Sequence, residues 1–242
     1  MYHPFSIAET LSTAWGILKS NFVTIIVYSV VTFFILLILG IILGILFTSD
    51  NYYIDMLVSL ITVIFQAYTT LGLYKLIFTL IDSEFYEFDI SQVLPRFTNL
   101  ISFLPIWFLF ITLYVSYKFF IDSLTRFPIV YDISIIGGVL VLLYVILRCM
   151  FFLAFIVDDD SGPFESVKQS LALTKGNFLN VFAILAIILL LIGLPAILSR
   201  YFILAPVILI FSYPYVNILV MVCYRKLVYS HQDVDDNLAE AV

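Results

Sequence analysis

The residues able to do chemistry in this chain are few, and most are charges set beside apolar runs. Lys75, Arg148 and Arg225 close the triplets Leu73-Tyr74-Lys75, Ile146-Leu147-Arg148 and Cys223-Tyr224-Arg225, each near the end of a long hydrophobic stretch. Lys19 and Lys175 stand two residues before Asn21 and Asn177 in two segments of related sequence. Cations so placed sit at headgroup depth, where each is worth about 1 kcal/mol toward an anionic leaflet. All five are candidate contacts to acidic lipid or to an acidic segment of a protein partner. An ionisable residue inside a span is a functional candidate by default. For Arg148 the alternatives are an anchor that snorkels to the headgroups and a pair with a carboxylate of the Asp158-Asp159-Asp160 loop.

Other chemistry finds little support. The three aspartates before Ser161 could offer oxygens to a divalent cation, but no further ligands follow at fixed spacing, and carboxylates ahead of a helix N-terminus are favourable without a metal. The chain has no G-x-S-x-G elbow, no P-loop, no H-E-x-x-H and no C-x-x-C pair. His3 and His231 lie at opposite ends of the sequence, and Cys149 and Cys223 fall inside apolar runs, which reads as free thiols. No metal, no cofactor and no enzymatic activity are expected.

The elements that must position these charges follow from composition. Of 242 residues, 63% are hydrophobic and 12% charged, with a mean hydropathy of +1.14, against nearly half apolar and a quarter charged in soluble domains. An all-α integral membrane protein follows, and a net charge of −6 argues against a nucleic-acid partner. Spanning requires roughly 20 apolar residues. Six runs reach that length: Phe22 to Phe47, Ile54 to Ile81, Leu100 to Ile121, Ile133 to Val157, Phe178 to Leu198 and Phe202 to Val228. Pro105, Pro195, Pro206 and Pro214 should kink or end them locally, and Gly137-Gly138 is a further weak point. Gly40 and Gly44 form a GxxxG suited to close helix approach, within the chain or between copies. Gln66 and Asn217 are expected to bond between helices.

Lysine and arginine counts give orientation. Lys19, Lys75, Arg96, Arg148, Lys168, Lys175, Arg225 and Lys226 fall on one side, and Lys118, Arg126 and Arg200 on the other. Both termini are therefore expected to be cytoplasmic. Ahead of the first span, Phe5, Ala8, Leu11, Trp15, Leu18 and Phe22 recur at helical spacing behind a Ser6-to-Glu9 capping box. After the fourth, Gly162-Pro163 opens a second such helix, with Phe164, Val167, Leu171 and Phe178 as its stripe. Both should lie flat at the interface. Residues 14–22 align with 170–178 at an offset of 156, and half that offset reaches Asn99. The pattern predicts three repeats of an interfacial helix plus a transmembrane hairpin, over about 5–81, 89–157 and 163–230 of one domain spanning 1–232. In the middle copy Asp89 to Gln92 would be the cap. An acidic tail over 233–242, with Asp233, Asp235 and Asp236, could compete for the same cations.

The block from Arg148 through Phe-Leu-Ala-Phe-Ile-Val-Asp158 to Gly162-Pro-Phe-Glu-Ser-Val-Lys-Gln-Ser-Leu-Ala-Leu-Thr-Lys-Gly-Asn-Phe178 resembles the signature of the YciC-like group of bacterial membrane proteins. That group is similar to the membrane domain of some glycerophosphoryl diester phosphodiesterases. Phe5 to Glu9, Ala14-Trp15 and Tyr224 to Leu227 resemble it too. The resemblance implies a multi-pass protein of the bacterial cytoplasmic membrane. The sequence carries no soluble catalytic domain like that of the phosphodiesterase fusions, and hydrolysis is not expected. The leading expectation is a non-enzymatic protein organising lipid or a protein partner at the cytoplasmic face. A small transporter or channel is the alternative.

Overall fold

A computed structural model describes residues 6–47, 52–82, 93–202 and 205–239. Phe5, the residues Asp89 to Gln92 expected to cap the middle copy, and the side chains of the acidic tail lie outside what it describes. Among the described residues there are nine helices: α1 (Ile7–Ser20), α2 (Phe22–Leu46), α3 (Tyr52–Asp82), α4 (Phe97–Ser123), α5 (Pro128–Arg148), α6 (Phe152–Asp158), α7 (Pro163–Gly176), α8 (Phe178–Leu198) and α9 (Ala205–Ala239). Six segments are long and apolar enough to cross a membrane, α5 with α6 counting as one. This is a multi-pass membrane protein. Its backbone satisfies itself within helices, as hydrocarbon demands.

The helix starts follow local chemistry. Ser6 caps α1, its hydroxyl accepting from the Glu9 N–H at 3.4 Å, and Gly162 precedes Pro163 at the first position of α7. Pro105, Pro195 and Pro214 lie inside continuous helices. Gly137-Gly138 does not break α5 either. The Tyr117 ring of α4 covers Gly138, and the Tyr117 hydroxyl donates to the Ser134 carbonyl at 2.6 Å. The interruption in that span comes at Cys149 to Phe151, which separate α5 from α6.

α9 is the hub. It packs on α1, α2, α3 and α8, and its membrane segment is the most enclosed of the six. Around it, Leu76 and Ile77 of α3, Phe151, Ile184 of α8, and Ile218, Leu219 and Tyr224 form the core. A second cluster joins Leu71 of α3, Leu100 and Ile106 of α4, and Ile156 of α6. The α4–α5 hairpin stands apart, and no α5 residue before Leu147 is buried.

The apolar stripes of the two amphipathic helices divide between the protein and the outside. In α1, Leu11 and Leu18 face the protein, but so do Thr10 and Ala14, while Trp15 is 58% exposed. In α7 the enclosed residues are Ser166, Ser170, Leu173 and Thr174, and Phe164 is 76% exposed. Apolar periodicity finds the lipid side of such a helix. Small and hydroxyl residues take the protein side, because they let helices approach and can bond there. Residues 156 apart share their burial: Thr10 with Ser166, Ala14 with Ser170, Leu18 with Thr174 and Ile25 with Val181. Asn21 and Asn177 both occupy the junction with the following span. Asn99 lies instead in the first turn of α4, buried.

Gly72 of α3 is a point of forced closeness. A methyl there would come within 2.5 Å of the Tyr28 hydroxyl and 2.7 Å of the Val93 carbonyl. A methyl at Gly40 or Gly44 would meet nothing within 4 Å. Gly72→Ala should lower the thermal midpoint in detergent, at a cost of about 1–3 kcal/mol for overpacking. Gly40→Ala should leave it unchanged. A fluorescence-detected melting series measures both.

Candidate functional site

The site begins with a gap in a helix. Where α5 stops at Arg148, three residues carry the chain to Phe152, and backbone groups there lose their helical partners. α7 runs alongside and supplies replacements. Ser170 Oγ accepts from the Phe151 N–H at 3.1 Å and donates to the Arg148 carbonyl at 2.9 Å. Thr174, one turn on, donates its hydroxyl to the Ser170 carbonyl at 2.9 Å and accepts from Arg148 Nη1 at 2.8 Å. Ser166, Ser170 and Thr174 therefore form an i, i+4, i+8 hydroxyl face turned inward. Two residues past the end of α6, Asp160 is left-handed, at φ 51°, a conformation Asp tolerates better than most residues. It brings the Ser161 N–H back to the Phe155 carbonyl at 3.2 Å.

A second polar knot lies at the same end of the bundle. Arg225 of α9 reaches Asp82, the last residue of α3, at 2.6 Å and Asp158, the last residue of α6, at 3.0 Å. The Tyr224 hydroxyl donates to the other Asp158 oxygen at 3.1 Å. The guanidinium lies 4.9 Å from the Phe78 ring centroid and donates to the Tyr229 hydroxyl at 3.2 Å. The side chains of Arg225 and Asp158 are only 16% and 18% exposed, so this pair is screened far less than a surface bridge. Lys226 reaches Glu9 of α1 at 2.7 Å, and Arg96 pairs with Asp160.

The five candidate cations thus have different situations. Arg225 is held by two carboxylates. Lys75 donates to the Leu94 carbonyl at 2.9 Å, bracing the segment before α4. Arg148 bonds to Thr174 and, among the described residues, pairs with no carboxylate. The pairing considered for it with the Asp158 loop goes to Arg225, which projects from α9 between the ends of α3 and α6. Lys19 and Lys175 are exposed in the last turns of α1 and α7, where a cation suits the helix dipole. Asn21 Nδ2 donates to the Ile17 carbonyl at 3.2 Å. The aspartate run is divided: Asp158 and Asp160 each serve a different arginine.

Sequence reading missed Ser170, Thr174 and Asp82. The four-residue spacing of Ser166, Ser170 and Thr174 was the available signal. Gln66 is exposed, and Asn217 donates to Tyr213 of its own helix at 2.7 Å. Among the described residues, neither makes the interhelical bond expected of it. Comparison of the chain with protein-family models, with curated proteins and with solved structures finds no match.

Two outcomes follow from this geometry. Ser170→Ala leaves an amide and a carbonyl without their partner in a buried site, and should cost about 1–3 kcal/mol of stability. Ser20→Ala, on the exposed side of α1, should cost nothing measurable in the same melting assay.

Asp159 sits beside the knot, and burial pushes its carboxyl above the ordinary value of 3.8. The neighbouring Asp158 charge adds to this, Arg225 opposes it, and Glu165 adds again. A raised carboxyl penalises the charged form in the folded state. The penalty is absent at acid pH, grows as pH rises through the unfolded value and is complete above the folded one. Asp159→Asn should therefore raise the melting temperature at pH 7 and leave it unchanged at acid pH.

Proposed function

We propose that this protein is a non-enzymatic organiser of anionic lipid at the cytoplasmic face of the bacterial cytoplasmic membrane. In this reading both termini are inside, α1 and α7 lie along the interface, and three repeats build the bundle. The burial shared by α1–α2 and α7–α8 at an offset of 156 supports the first and third copies. Eight of the 11 lysines and arginines fall on the side assigned to the cytoplasm, which supports the orientation. The block from Arg148 to Phe178 supports placing the chain with the YciC-like group.

The observation that carries the reading is the sidedness of α7. Its hydroxyls point into the protein, while Phe164 and Leu171 are turned outward, with Lys168 and Lys175 exposed on the same helix. A helix with apolar side chains and lysines together on its outer surface suits the boundary between acyl chains and anionic headgroups. α1 repeats the device with Trp15 and Lys19. Arg225 and Lys226 contribute less, since carboxylates of this chain already neutralise them.

The test is lipid analysis of the purified protein. Protein extracted in mild detergent should carry anionic phospholipid enriched several-fold over the bulk membrane. Lys19→Glu with Lys175→Glu should remove most of that enrichment while the protein still folds. Wild-type protein carrying lipid of bulk composition would overturn the reading.

A further inference from the structure

We propose that Arg148 is the phosphate contact for one tightly held anionic phospholipid, seated where α5 meets the corner between α7 and α8. The proposal deepens the lipid-organising reading and rests on it.

Three arginines gather at this end of the bundle, and two are spoken for: Arg96 by Asp160, and Arg225 by Asp82 and Asp158. Arg148 is different. Nη1 is held by Thr174, Nε, like that of Arg225, is enclosed without a hydrogen-bond partner among the described residues, and Nη2 has no protein acceptor among them. A guanidinium carries five donors and no means of losing its charge. Left uncompensated beside hydrocarbon it is costly, and such residues find a counter-charge or a polar cavity. A phosphate is the counter-charge that fits, because its oxygens match the planar fork. A phosphate arriving from the lipid side meets Nη2 and neutralises a charge that the fold leaves without a carboxylate. Thr174 holds the guanidinium in place for it, and Ser170 holds Thr174's helix against the gap.

Depth and surroundings point to a lipid as the source of that phosphate. Arg148 closes the 21-residue α5, whose rise is about 30 Å, the thickness of the hydrocarbon core. The guanidinium is therefore level with the headgroups. Just inside it, Tyr144 and Phe178 meet with ring centroids 6.5 Å apart. Beyond them α5 offers exposed Leu140 and Val141 to an acyl chain. Lys175 follows Thr174 directly and adds a second cation, which disfavours a headgroup that carries its own positive charge.

Native mass spectrometry separates the possibilities. Wild-type protein, delipidated and exposed to equal amounts of phosphatidylglycerol and phosphatidylcholine, should retain one phosphatidylglycerol that survives activation. Arg148→Gln should reduce that retained species at least about tenfold, while Lys118→Gln, an exposed cation on the opposite side, leaves it in place. A large excess of inorganic phosphate should not displace it; displacement would make this a soluble-anion site and overturn the proposal. Should Arg148→Gln not fold, Arg148→Lys replaces it: threefold or greater loss supports the fork, and unchanged retention overturns it. If wild-type protein shows no preference for phosphatidylglycerol, the lipid-organising reading falls as a whole. If the preference persists and Arg148→Gln keeps the single bound lipid, only the assignment of Arg148 falls.

Discussion

Everything at the polar end of this molecule depends on one hydroxyl replacing a helical hydrogen bond. The Ser170 side chain takes the Phe151 amide and gives to the Arg148 carbonyl, so the fourth span can break without leaving unmet backbone groups in an apolar setting. That break fixes the direction of α6. α6 in turn carries Asp158 to Arg225, Phe155 to the Tyr224 ring at 4.9 Å, and Asp160 to Arg96. α7 cannot be an arbitrary interfacial helix, because its inner face must present hydroxyls at four-residue spacing along the gap. Water would serve those groups on a soluble protein's surface. Phe151 and Ser170 are enclosed, so here the chain must serve itself.

Charge is distributed by the same logic. Carboxylates from α3 and α6 meet an arginine from α9, and a glutamate from α1 meets the next residue, Lys226. These pairs join helices far apart in sequence, beside the ring contacts of Tyr224 with Phe78 and Phe155. Apolar packing alone is weak glue in a bilayer, since lipid tails compete equally well for the same surfaces. Polar pairs and close approaches such as Gly72 against Val93 therefore select one arrangement among many apolar ones. Lys19, Lys175 and Arg148 stand outside this internal balance, which is why lipid enters the account through them.

The six spans were legible because length and hydropathy leave no other reading, and Phe178 to Leu198 is recovered to the residue. The caps at Ser6 and Gly162-Pro163 were legible because they follow from local chemistry. The inner faces were not. Apolar periodicity marked Trp15, Phe164 and Leu171 as the apolar face of interfacial helices, and they are exposed, but it gave no sign that Thr10, Ala14, Ser166 and Ser170 pack inward. The break at Cys149 to Phe151 was hidden because no glycine or proline marks it. Its cause lies about 20 residues downstream, in Ser170. The partners of Arg225 were hidden for the same reason: Asp82 and Asp158 are distant in sequence and meet only when three helix ends converge. Asn99 aligned arithmetically with Asn21 and Asn177, yet Arg96 and Phe97 already start the helix before it.

The central position of α9 has a consequence for biogenesis. Chains emerge from the ribosome in order, and α9 follows every other described helix. Until it enters the membrane, α1, α3 and α8 lack the surface they are built to cover, and Glu9, Asp82 and Asp158 lack their cations. The earlier helices can form the α3–α4–α6 cluster before then, but not the core that α9 completes. Arrival of a single helix then closes contacts on four sides and neutralises three carboxylates together. Maturation of the bundle is thus a late, concerted event, and the interval before it is when quality-control proteases would find their substrate.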